Sequence, residues 1–369
     1  MRGRTWVAGM AVLLTTGAIT ACGGSEPEAR GGGDGATVVV DAKARVEAAK
    51  VDVKAKAPAD GPEAQAGKSV VLIPCSIASE GCAAPAKGAE EAAKAIGWKT
   101  TMIDGKDTAA TQNAAVRQAL ALKPDAIITF AINPGEIQGA VAEARRSGIK
   151  VVASSAPPSE LVDFSDLPTE ATWALGGSLL ADFAIAEHDG DVQALVLHDT
   201  GFDVLAARHR AFVDRLKQCS GCEIAEQQTF TFADLATSVP RMVQQMAQRH
   251  PQFNTVYIDY DYAVPAVLQG LRSVGVRDKT VLGSEGTSNA IASIRKGEQT
   301  ATTALALPWI GWANIDALNR IFAGEDPRPA ADVVSVKLID RSVAEKMDGM
   351  WDGGADFRAE YRKLWGVEG

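Results

Sequence analysis

The sequence predicts an α/β protein built as two doubly wound parallel-sheet lobes joined by a hinge. Three observations lead there. From about Lys68 onward, short apolar β-branched runs alternate with segments of helical periodicity, the rhythm of a parallel sheet with right-handed crossovers. The alternation breaks once, over the Ser-, Pro- and Asp-rich stretch 154–168, and then restarts. The chain's 369 residues also exceed the roughly 250–300 at which a single core stops growing.

The first complete unit runs from Lys68 to Gly97. Ser69–Ile73 is a continuous apolar strand ended by Pro74, and 75–84 is small, polar and Gly-containing, which predicts a loop. Pro85–Gly97 then places Ala89, Ala92, Ala93 and Ile96 on one face of a helix closed by glycine. Strands follow at 98–103, 125–130 and 149–153, with helices at 108–122 and 134–147 between them. A helix over 169–187 carries the chain away from the crossing. Strands at 194–198, 223–230, 255–259, 280–283 and 300–305 alternate with helices at 204–218, 235–249, 263–274 and a short one ending at Lys296. This predicts a second doubly wound lobe of similar size. A helix at 308–323, a strand at 333–339 and a polar, partly helical tail at 343–365 complete the chain. Ligands of open parallel sheets sit outside the carboxyl ends of the strands, so 75–84 is the first place to expect function.

The balance of 37 basic against 46 acidic side chains, formal charge −9, leaves no basic stripe and argues against nucleic acid as a partner. Arg2 and Arg4 precede an apolar run over 6–20 that has export-signal length and is too short to span a bilayer. It closes on Ile19-Thr-Ala-Cys22, which resembles the bacterial lipobox, and this resemblance implies that residues 1–22 are a lipoprotein signal peptide ending at an acylated Cys22. Residues 23–66 then read as a tether with a possible helix over 41–57. Four cysteines remain, Cys75, Cys82, Cys219 and Cys222. Their even number in an oxidising compartment and their spacing favour the local pairs Cys75–Cys82 and Cys219–Cys222.

Two α/β lobes joined at a Pro/Ser-rich crossing resemble the type I periplasmic binding proteins, particularly the ribose- and galactose-binding class. The likeness covers about 67–340. It is carried by the Lys68–Gly97 unit, by Leu205-Ala-Ala-Arg-His-Arg-Ala-Phe212, by Tyr257-Ile-Asp-Tyr-Asp-Tyr-Ala263 and by Val281-Leu-Gly-Ser-Glu-Gly-Thr-Ser288. The resemblance implies a first lobe of 67–166 plus about 306–332 and a second of 167–305 plus about 333–369. It also implies a monomeric solute-binding protein of an ABC importer, held at the membrane by its lipid, that closes on a small polar solute, most simply a carbohydrate, and meets a membrane permease. In that likeness Arg208 forks onto ring oxygen or hydroxyls, Asp261 accepts from hydroxyls, and Glu285 stands where an Asp is usual. Each has a plainer alternative: a solvated helix arginine for Arg208 and an N-cap for Asp261. The loop at Ser76, Ser79 and Glu80 carries no aromatic residue, so stacking surfaces must come from Phe202, Tyr260 or Trp309, the last of which reads equally well as core. Asn133, Ser154 and Asp203, at or beside strand ends, complete the expected site.

No residue set points to catalysis, a metal or a cofactor. The four histidines, 188, 198, 209 and 250, show no metal-ligand spacing, and no nucleotide or hydrolase motif lies at a strand-to-helix turn. Cys219-Ser-Gly-Cys222 has redox spacing, but it follows a helix end instead of opening a helix, which favours a staple over a thiol oxidoreductase. A receptor that presents its ligand to a membrane sensor kinase uses the same fold and stays open as an alternative.

Overall fold

The computed structural model describes residues 32–52, 56–165, 167–331 and 335–367. The expected export segment, Cys22 and the first part of the tether lie outside these residues. The first described element is α1 (Gly32–Ala49), which starts earlier than the helix expected at 41–57 and takes up the end of the expected tether. It is held by buried contacts. Ala42 and Val46 are packed into the core, and Asp182, wholly buried, receives both Arg45 (3.2 Å) and Arg215 (2.5 Å), while Arg215 also reaches Asp41 at 2.6 Å.

The first sheet holds β1 (Ser69–Pro74), β2 (Lys99–Met102), β3 (Ala126–Phe130) and β4 (Lys150–Ser154), all parallel, in the order β2-β1-β3-β4. Between them run α2 (Glu80–Ala95), α3 (Ala109–Ala121) and α4 (Gln138–Arg146). The order steps outward from β1 to β2 and then back across β1, so right-handed crossovers send α2 to one face and α3 and α4 to the other. The strand pattern obeys this: Val70 and Leu72 pack with the α2 alanines, Val71 and Ile73 with α3 and α4. The helix α2 begins five residues earlier than the sequence suggested, leaving a short loop. Cys82 lies inside its first turn and bonds back to Cys75, so the stretch that reads as loop chemistry is clipped into helix.

The second sheet contains β5 (Gln193–Asp199), β6 (Glu223–Phe230), β7 (Thr255–Ile258), β8 (Thr280–Glu285), β9 (Ala301–Leu305) and β10 (Val336–Ile339), in the order β10-β9-β8-β7-β5-β6. Its first described helix, α5 (Glu170–Glu187), packs along α6 (Leu205–Leu216), and α7 (Leu235–Arg249) along α8 (Val264–Ser273), with α9 (Ser288–Lys296) following β8. The four and six strands are those read from the sequence, and one expectation is corrected: β10 runs antiparallel to β9 instead of parallel. The reason lies in α10 (Leu307–Ala323): it leaves the second sheet and packs on α2 of the first lobe, so β9-α10-β10 is not a crossover within one sheet and the handedness rule places no demand on it. The chain then turns through α11 (Arg341–Ala344), against α9, to α12 (Phe357–Leu364). Sequence grouped 333–369 with the second lobe, whereas α12 packs on α10: Trp312 and Trp365 stack at 5.5 Å and Trp309 stacks on Phe357 at 5.0 Å. Cys219 and Cys222 are also joined, and with Cys75–Cys82 both expected pairs form.

Candidate functional site

Strand ends from both sheets converge on one cavity. The first lobe contributes Ser79, Gly81 and Cys82 after β1, Ala131 after β3 and Ser155 after β4. From the second come Phe202 after β5, Phe232 after β6, Tyr260 after β7 and Glu285 at the end of β8, with Trp173 from α5. This is the carboxyl-end crevice that open parallel sheets reserve for ligands.

Contacts between the lobes hold the cavity's rim. Glu80 Oε2 accepts the backbone N–H of Ser288 at 2.8 Å, across from α2 to the start of α9. Asn133 bonds reciprocally with the β5–α6 loop: its Nδ2 donates to the Gly201 carbonyl and its Oδ1 accepts the Asp203 N–H, both at 3.4 Å. Gly81 faces Glu285 so closely that a Cβ there would stand 2.1 Å from Oε2. Any larger residue at 81 must displace the Glu285 carboxyl.

Glu285 is the ionisable group of the cavity wall. Its backbone holds φ +102°, a region that side chains rarely adopt, and such strain persists only where the surroundings fix it. Asp261 is what fixes it. The Asp261 carboxylate accepts the N–H groups of Gly286 (2.8 Å) and Thr287 (3.2 Å), the Thr302 hydroxyl (2.9 Å) and the Gln299 amide (2.8 Å). Three of these donors meet Oδ2, and Gln299 meets Oδ1. Asp261 neither faces the cavity nor caps its own helix, correcting both readings of it. Burial pushes the Glu285 carboxyl up to about 8 against the pull of Arg208, and burial likewise lifts Asp261 to about 7.

Arg208 is also placed differently from the expectation. It is 1% exposed, with its guanidinium 4.5 Å over the Trp173 ring, and it donates from Nη1 to the Asp259 carbonyl. It backs the aromatic wall and draws on Glu285 by charge. Trp309 is fully buried between Phe357 and Gly353, far into the packing of α10 on α12, so the core reading holds and the platform reading does not. Ser154 is spent structurally: its hydroxyl accepts from Asn314 Nδ2 at 2.8 Å and donates to the Leu167 carbonyl, and its neighbour Ser155 meets the cavity instead. The Ser76 hydroxyl accepts the Ala78 N–H and serves its own loop. Phe202, Tyr260, Ser79 and Glu285 reach the cavity as expected.

Sequence reading missed Trp173 and Phe232. Phe232 lies two residues past the end of β6, where the strand-end rule alone could have found it. Trp173 had no such signal, because α5 is apolar on most sides and shows no face. Phe202 stands edge-to-face with two other rings of the wall, Phe232 at 5.6 Å and Tyr260 at 6.3 Å. The polar handles of this wall turn away from the cavity. Tyr260 donates its hydroxyl to Asp199 at 2.5 Å, and Trp173 Nε1 donates to the Pro168 carbonyl at 3.2 Å. Burial raises Asp199 to about 6.

Behind the wall, His198, His209 and Asp259 bring their ligand-type atoms within 4.8 Å of one another. The two imidazoles are stacked, 4.2 Å apart and 15° from parallel, so their in-plane lone pairs run side by side and cannot converge on one ion. Only His198 and Asp259 are hydrogen-bonded, and His209 Nδ1 is buried without a partner among the described residues. Burial works to lower the His198 pKa, but its 2.7 Å hydrogen bond to Asp259 and that carboxylate's charge outweigh burial and raise it, whereas burial lowers His209.

The model of a family described as periplasmic binding protein domain matches residues 70–326. The ribose import binding protein of Salmonella typhimurium is 23% identical over 256 residues, covering 68% of this chain and 83% of the relative. Among solved structures, an ABC sugar transporter subunit from Rhodobacter sphaeroides superposes with TM-score 0.65 at 17% identity, covering 75% of this chain and 99% of that one. A solute-binding protein of an ABC transporter from Agrobacterium vitis, solved with α-D-tagatopyranose, gives TM-score 0.65 at 19% identity over 75% and 95% of the two chains. These likenesses show that the fold is that of sugar-transporter solute-binding proteins.

Proposed function

The chain belongs to the periplasmic binding protein domain family, and from that premise we propose that it is a lipid-anchored, extracytoplasmic substrate-binding protein of an ABC importer. Its ligand is a sugar or similarly hydroxylated small molecule taken up between the lobes. The observation that carries this reading is the cavity itself, bounded by strand ends of both sheets, with aromatic faces on one side and the Glu285 carboxyl beside them. An aromatic face suits the C–H face of a sugar ring, and a carboxyl at the edge suits its hydroxyls. Support comes also from relatives that carry ribose import in their name and from a neighbour solved with a bound sugar.

The mechanism needs no bond making. A ligand that touches both lobes binds the closed arrangement more tightly than the open one and shifts the equilibrium by that difference. The Glu80–Ser288 and Asn133–Asp203 contacts form only when the lobes meet, so they add to closure, and a membrane permease would read the closed face. A thermal-shift screen over pentoses, hexoses and polyols tests this. A ligand held at 100 times its Kd adds about 2.7 kcal/mol to stability, and the absence of any shift across the screen would remove the proposal. Replacing Cys22 by Ser tests the anchor: the variant should leave the membrane fraction.

A further inference from the structure

The polar groups of the cavity are few and the apolar ones crowd it. Its wall is made by Trp173, Phe202, Phe232, Leu205 and Leu307 together with Cys82 of the Cys75–Cys82 disulfide. Two polar ends that this wall could have offered are committed behind it, Tyr260 to Asp199 and Trp173 to Pro168, while Arg208 lies outside the lining, with Nη1 bonded to the Asp259 carbonyl and Nε without a partner among the described residues. What faces the cavity with hydrogen-bonding capacity is Ser79, Ser155 and Glu285, and among the described residues no hydrogen bond occupies the Glu285 carboxyl.

Every ring carbon of an ordinary hexose bears oxygen. A hydroxyl pressed against this wall loses its water and gains no partner, whereas a methyl group there gains contact. We propose that the cleft selects methyl-bearing sugars, 6-deoxyhexoses or methyl ethers, over their fully hydroxylated parents. The proposal rests on the sugar-binding reading above and names the class within it. The hydroxylated edge of the ligand lies toward Glu285 and Ser79, which Gly81 brings close together, and the deoxygenated edge lies against Phe232, Leu205 and Leu307. The disulfide contributes a wall that is apolar and fixed, since Cys82 is tied into the first turn of α2.

Matched pairs that differ at one hydroxyl isolate the effect: L-rhamnose with L-mannose, L-fucose with L-galactose, and 3-O-methyl-D-glucose with D-glucose. Calorimetric titration of the mature protein with both members of each pair should give at least roughly tenfold tighter binding for the methyl-bearing member of one pair or more, the factor expected for one buried hydroxyl without a partner. Leu307→Asn, which puts a hydrogen-bonding group into the wall, should narrow that preference, and the circular dichroism melt of the variant shows that it is folded. If in every pair the parent binds as tightly as its methyl-bearing partner, or more tightly, the selection is refuted while the sugar-binding reading stands. If D-ribose, the polyols and both members of all pairs fail to bind at millimolar concentration, the sugar-binding reading itself fails and takes the selection with it.

Discussion

The two rims of the cleft are built from opposite materials. The first lobe offers small side chains and backbone, with Ser79, Gly81, Ala131 and Ser155 at its strand ends, while the second offers rings and charge, with Trp173, Phe202, Phe232, Tyr260 and Glu285. The second rim is also the braced one: Asp261 holds the turn after β8 by four donors, Asp199 holds Tyr260, and Arg208 lies under Trp173. The difference teaches a division of labour. One rim is prepared to hold a ring before closure, and the other is shaped to come down on it without obstruction, which is why Gly81 sits where any side chain would strike Glu285.

The same contrast separates two tryptophans, and the largest expected effect comes from it. Trp309 is packed wholly inside the first lobe, so Trp309→Ala should lower unfolding free energy by about 3–5 kcal/mol in denaturant titration, while the fraction that remains folded keeps its affinity. If stability is retained and binding lost, the assignment of Trp309 to the core is wrong. Next in size are the disulfides. In the loop-entropy view, opening Cys75–Cys82, seven residues apart, costs about 2.5 kcal/mol, and opening Cys219–Cys222, three apart, about 2 kcal/mol. The two Cys→Ser double variants should therefore melt similarly, yet only loss of Cys75–Cys82 should also weaken ligand binding, because only that pair lies at the cleft. Peptide mapping without reductant checks that both pairs exist in the mature protein.

A smaller effect probes the aromatic rim directly. Phe202 is only half-buried, so Phe202→Ala should weaken binding of the tightest sugar in the screen by roughly tenfold, with a melting temperature close to that of the parent. The subtlest effect is on pH. Glu285, Asp261 and Asp199 all have folded pKa values above the ordinary carboxyl range, at about 8, 7 and 6. The folded state therefore binds more protons than the unfolded one from about pH 4 upward, and stability falls as pH rises toward 8. Glu285→Gln removes the highest of these transitions and should flatten the decline between pH 7 and 8.5 in denaturant midpoints. A parent whose stability rises over that interval would contradict these shifts.

How much of this was legible in the chain follows from what sequence encodes. Strands β1 to β9 and their helices fall close to where alternation and periodicity put them, because each is a local pattern of apolar residues. The direction of β10 was not legible: a strand, a helix and a strand in succession look like a crossover, and nothing local says that α10 belongs to the other lobe. In the site, Phe202, Tyr260, Glu285 and Ser79 follow from strand ends alone. The protein partners of Asp261 and Arg208 were not legible, since a carboxylate that braces a turn and one that meets a ligand share the same position beside a strand end, and the Asp259 carbonyl that Arg208 meets lies 51 residues away. Trp173 was invisible because its neighbours along α5 are apolar and it meets Arg208 only through the packing of two helices.

Solution scattering on the mature protein, with and without the tightest-binding sugar of the screen, bears most directly on closure between the two rims. Closure predicts that the radius of gyration falls at saturation, and that Gly81→Phe, whose side chain wedges against Glu285, keeps the larger radius and binds weakly under the same conditions. A parent protein that binds the sugar by calorimetry with no change in radius, or a Gly81→Phe variant that binds as tightly as the parent, would contradict a ligand held between closing lobes.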